Sequence, residues 1–100
     1  MEKLYTVYWI HNEDNIDPFC EGYIGVSANF NYRIQRYKQP GQKSHLYEKL
    51  INGALVSVIA KNLFEHEALI LEKKFRPKRN IGWNLNSGGF FPPIPEKSKK

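Results

Sequence analysis

Residues 4–10, LYTVYWI, constrain the fold more than any other part of the chain. They are almost all aliphatic, β-branched or aromatic, and alternate as Leu4, Thr6, Tyr8 and Ile10 against Tyr5, Val7 and Trp9. Successive side chains of a strand point to opposite faces, so a strand with two largely apolar sets has to be partly covered on both. The next stretch, HNEDNIDP, is turn chemistry rich in Asn, Asp and Pro. It leads to a second strand over residues 21–27, EGYIGVS, and the pair is expected to form an antiparallel hairpin with a long connection.

Beyond the hairpin the period changes. Asn29 stands at an N-cap position, and Phe30, Ile34 and Tyr37 fall at i, i+4 and i+7, the spacing of one buried helix face. Pro40-Gly41 ends this helix. Ser44 is placed to cap a second helix carrying Leu46, Tyr47, Leu50 and Ile51 inward, with Gly53 as its stop. ALVSVIAKN, residues 54–62, has the composition of a third strand, and residues 65–75 return to helical spacing through Ala68, Leu69, Leu71 and Phe75 before Pro77. The predicted fold is α/β of the α+β type: a small three-stranded antiparallel sheet flanked by helices, in the order β-β-α-α-β-α.

One hundred residues allow one domain, and 41% apolar composition is enough to give it a core. That domain is expected over residues 1–91, with the Pro/Lys-rich residues 92–100 as a mobile tail. No apolar run approaches the ~20 residues of a membrane span, and the start MEKLYTVYWI has no h-region or cleavage site, so a cytoplasmic protein is expected, with no membrane partner. The single Cys20 excludes an internal disulfide and any Cys-pair zinc site; it is expected to be a buried or half-buried structural thiol. Trp9 and Trp83 are expected in the core.

The net charge of +5 is moderate, but it is unevenly spread. Arg33, Arg36, Lys38, Lys43 and Lys49 are opposed only by Glu48, and Lys73, Lys74, Arg76, Lys78 and Arg79 form a run without an acid. Such clusters suit a polyanion.

An ordered set of residues narrows this further: Tyr8 on the first strand, Tyr23-Ile24-Gly25 on the second, Arg33 eight positions on, Glu72 on the last helix, then Asn84 and Gly88-Gly89. Over residues 4–89 this set resembles the GIY-YIG nuclease family. Thr6 stands where the family has the glycine of its first motif, and Tyr37 where many members carry a histidine.

The resemblance implies a metal-dependent endonuclease that hydrolyses phosphodiester bonds in DNA. Its catalytic residues would be Tyr8, Tyr23, Arg33, Tyr37 and Glu72, with Glu72 holding Mg²⁺, or Mn²⁺ in its place. Gly25, Arg36, Lys43, His45 and Asn84 would contact substrate. The chemistry is self-consistent: an arginine fork neutralises a phosphate better than a lysine, and Mg²⁺ is commonly held by one or two carboxylates while it keeps much of its water. Tyr8 is the first choice for the base and Tyr23 for positioning the water, with the reverse assignment open. Glu65 and Glu67 are alternative carboxylates, though Glu67 lies off the face of Glu72 and the spacing to Asn84 fits the family only from Glu72. Gly25 would permit close backbone approach beside the site. No separate DNA-reading module is present in the sequence, so specificity would come from DNA structure, a homo-oligomer or a larger protein partner. The alternative reading is a catalytically silent nucleic-acid-binding or adaptor domain of the same fold.

Overall fold

The computed structural model describes residues 3–39, 46–85 and 88–89. Pro40, Gly41, Lys43, Ser44 and His45 lie outside the described residues, as do residues 92–100, so the helix stop, the second cap, two expected substrate contacts and the tail fall there. Strands β1 (Tyr5–His11), β2 (Tyr23–Ser27) and β3 (Leu55–Leu63) form one antiparallel sheet in the spatial order β2-β1-β3. Helices α1 (Phe30–Tyr37), α2 (Leu46–Ile51) and α3 (Glu65–Phe75) complete the expected β-β-α-α-β-α order.

The doubly apolar first strand occupies the middle of the sheet, where both of its faces are used. Tyr5 and Val7 join Ile24, Val26, Ala68 and Phe75 in one buried cluster, which packs α3 against the sheet. Tyr8 and Ile10 join Ile34, Leu46 and Leu50 in a second cluster, which packs α1 and α2 on the other side. Two small cores therefore share one central strand, and fully burying each aliphatic side chain contributes about 1.5–3 kcal/mol.

The observed elements differ from expectation at their ends for identifiable reasons. β2 begins at Tyr23 rather than residue 21, because the carbonyls of Glu21 and Gly22 accept hydrogen bonds from the Arg76 guanidinium. The Asn29 side chain makes no cap hydrogen bond; its backbone N–H donates to Ser27 Oγ and its carbonyl accepts from Arg33 N. Cys20 is exposed, with Sγ 3.4 Å from Asp17 Oδ2, because the β1–β2 connection holds it outside both cores. Trp9 and Trp83 are half-buried at the margins of the two clusters.

Candidate active site

The β1–β2 register sets the floor of the site. Tyr8 pairs with Gly25 and Ile10 with Tyr23, so Tyr8, Gly25 and Tyr23 share the face covered by α1. The Tyr8 ring lies directly on Gly25: a Cβ there would overlap both the ring and its hydroxyl, which is why the close approach requires glycine. Tyr8 is fully buried, with its ring centroid 5.4 Å from that of Phe30.

Helix α1 brings the next groups. Arg33 and Tyr37 are four residues apart, a spacing that puts them on one side of a helix. The Tyr37 hydroxyl lies 2.9 Å from that of Tyr8, and its ring stands edge-on to Tyr23 at 6.2 Å between centroids. Tyr8 and Tyr23 are 6.4 Å apart by the same measure. Three phenols from β1, β2 and α1 thus converge beside one guanidinium.

Their electrostatics are coupled. Burial pushes the Tyr8 phenol well above its ordinary range, reinforced by Tyr23 and Tyr37 and opposed by Arg33. Burial also raises Tyr23, with Tyr37 and Glu72 adding to the effect and Arg33 again opposing. For Arg33, burial acts to lower the pKa, but its contacts with Tyr37, Tyr8 and Tyr23 outweigh that and the value rises. At rest Tyr8 and Tyr23 are neutral phenols beside one fixed cation, an arrangement that can donate hydrogen bonds to an oxyanion and neutralise its charge.

Glu72 stands on α3, which packs on the other side of the sheet from α1, and its charge adds to the rise at Tyr23. The carboxylate is half-buried; one oxygen accepts the Gly89 N–H at 3.0 Å. Burial raises its pKa, and the Gly89 hydrogen bond opposes the rise. Gly88 passes so close to the Glu72 backbone that a Cβ would sit 2.6 Å from its carbonyl oxygen, so the Gly88-Gly89 pair is shaped to that turn of α3. The rival carboxylates are elsewhere. Glu67 accepts the Phe64 N–H at 2.8 Å and caps α3, while Glu65 is exposed in the first turn.

Arg36 lies on another face of α1, its guanidinium 5.7 Å over the Tyr32 ring and 3.2 Å from that hydroxyl. Asn84 is buried, and both ends of its amide are used: Oδ1 accepts from Ile24 N at 2.8 Å and Nδ2 donates to Ile24 O at 3.0 Å. It occupies the outer edge of β2 as a strand partner would. Sequence reasoning missed Arg76, which donates to the same Asn84 oxygen at 2.8 Å and is completely buried. Within a basic run its burial had no local sign except Phe75 and the end of the apolar helix face.

Among the described residues no three His, Cys, Asp or Glu side chains group to hold a metal ion. The donor set at the cleft is one carboxylate, Glu72. That fits Mg²⁺ keeping most of its water and does not fit zinc, which takes three or four protein ligands. Among those residues, too, no helix is long and apolar enough to cross a membrane. Comparison with protein-family models, curated proteins and solved structures gives no match.

Proposed function

We infer that this domain is a phosphodiester hydrolase of the GIY-YIG type, an endonuclease acting on DNA with a divalent cation. The observation that carries the reading is the convergence of Tyr8, Tyr23 and Tyr37 on Arg33, with the Glu72 carboxylate close enough to influence Tyr23. A core needs no such group, and a passive phosphate-binding surface has no use for a half-buried acid whose charge bears on one of its tyrosines.

In this reading Arg33 binds a non-bridging oxygen of the scissile phosphate, and its fork holds the group in a fixed orientation. Tyr23, half-buried where Tyr8 is sealed, meets the attacking water; Tyr8 acts through Tyr37 by holding that phenol in place. To take the proton as the water oxygen bonds to phosphorus and the P–O ester bond breaks, Tyr23 has to be ionised. Arg33 favours that state and Glu72 opposes it. A divalent cation bound to Glu72 would polarise a water and reverse the sign of the charge facing Tyr23. Exposed bases on both flanks, Arg36 and Lys38 at α1 and Lys73, Lys74, Lys78 and Arg79 at the end of α3, supply contacts for the phosphates on either side.

The test is cleavage of end-labelled DNA and RNA duplexes in Mg²⁺, in Mn²⁺ and in EDTA. Metal-dependent scission of DNA supports the proposal. Retained binding with no scission in either metal overturns it in favour of a silent binder, and neither binding nor scission favours an adaptor.

A further inference from the structure

Arg76 is the largest side chain that the structure buries completely, and it spends every donor it has. Nε donates to Asn84 Oδ1 at 2.8 Å, Nη1 to Pro18 O at 2.7 Å and Phe75 O at 2.8 Å, and Nη2 to Glu21 O and Gly22 O, both at 2.9 Å. Five N–H groups meet five acceptors. None of the acceptors is a carboxylate, and burial holds the guanidinium pKa below its ordinary value, with Cys20 and Asp17 opposing. A buried charge without an ion partner is costly, and an apolar side chain in its place would leave five acceptors without this donor.

What the arginine joins gives it a role. Through Asn84 it reaches the outer edge of β2 at Ile24, the residue after Tyr23. Through Glu21 and Gly22 it holds the backbone immediately before Tyr23. Its own carbonyl accepts the Gly88 N–H at 2.7 Å, one residue before the amide that binds Glu72. Arg76 also lies one helical turn after Glu72, and its N–H closes on the Glu72 carbonyl at 2.9 Å. Both neighbours of Tyr23 lead to the Arg76 guanidinium, and the Gly88 and Glu72 contacts lead to the backbone of the same residue. We propose that Arg76, acting through Asn84, is the positioning residue that fixes Tyr23 relative to Glu72. The catalytic meaning of that spacing rests on the nuclease reading above; the spacing itself does not.

Lysine cannot replace it, since three ammonium donors cannot meet five acceptors. Because Arg76 variants can fail to fold, the decisive pair is Asn84→Leu, which removes the link to β2, and Asn84→Asp, which keeps acceptors for both Ile24 N–H and Arg76 Nε–H but loses the donor to the Ile24 carbonyl. NMR reads two things in the metal-free protein: the ring-proton signals of Tyr23, and amide exchange at Gly89 against the core amides of Val7 and Ile10. Asn84→Leu is expected to shift and broaden the Tyr23 ring signals, as the ring loses its fixed place, and to speed Gly89 exchange roughly tenfold relative to the core. Asn84→Asp, which keeps the link between Arg76 and Ile24 N–H, is expected to restore both in part. Where DNA is cleaved, kcat falls in Asn84→Leu with KM little changed. Unchanged Tyr23 ring signals and Gly89 exchange, or Gly89 accelerating only in step with Val7 and Ile10, overturns the proposal and leaves a structural brace. If the wild-type protein cleaves nothing, the nuclease reading falls, and the Tyr23 signals and the exchange data still decide this one.

Discussion

The hydroxyls of Tyr8 and Tyr37 lie 2.9 Å apart, although 29 positions separate the residues in sequence. This contact ties the central strand to α1 at the point where Arg33 emerges. Removing either hydroxyl leaves the other in a largely buried setting, at a cost of about 1 kcal/mol each. Tyr8→Phe, Tyr37→Phe and the double variant, compared by urea unfolding, should show a double loss smaller than the sum of the two singles. Additive losses would mean that the hydroxyls do not bond.

Gly25 makes the Tyr8 position possible. Gly25→Ala should destabilise the fold by about 1–3 kcal/mol, because the fully buried Tyr8 ring has nowhere to retreat. A midpoint within 0.3 kcal/mol of wild type, by the usual scatter for neutral substitutions, would be inconsistent with that packing.

The sheet and helix order were legible because the sequence changes period cleanly. Residues 4–10 and 54–62 are strand-like, while Ile34 with Tyr37, and Ala68 with Phe75, mark helix faces. The grouping of Tyr8, Tyr23 and Arg33 was what the family resemblance implied, and only the pairing of Arg33 with Tyr37 followed from helical spacing. Arg76 was not legible: its burial depends on carbonyls of Pro18, Glu21 and Gly22, more than fifty positions away, that nothing local announces. The exposure of Cys20 was missed for a related reason, the path of a long connection whose residues carry turn signals but no period.

Glu72 links stability to pH with a definite sign. Burial raises its folded-state pKa, so the folded protein binds this proton more tightly than the unfolded chain. Its contribution is therefore most favourable below the ordinary glutamate range and declines as pH rises through the raised folded value. Glu72→Gln, whose amide oxygen can still accept the Gly89 N–H, should be more stable than wild type at neutral pH and lose that advantage in acid. Chemical unfolding across the acid-to-neutral range checks this; a Glu72→Gln variant less stable at pH 7 would contradict it.

Arg33 supplies the only guanidinium facing the phenols among the described residues. Arg33→Ala should lower DNA cleavage by roughly 100- to 1,000-fold, the scale of losing one preorganised group that stabilises transition-state charge. Arg33→Lys should recover only part of it, because a point charge lacks the fork. Single-turnover rates on a labelled duplex measure both, and full activity in Arg33→Lys would show that orientation at the phosphate is not what Arg33 provides.

The most direct measurement of the central claim is nicking of supercoiled plasmid in Mg²⁺ by wild type and Glu72→Gln side by side, with unfolding curves confirming that both are folded. The account predicts nicking by the wild type that EDTA stops, and none by Glu72→Gln. A Glu72→Gln protein that nicks as fast as wild type would contradict it.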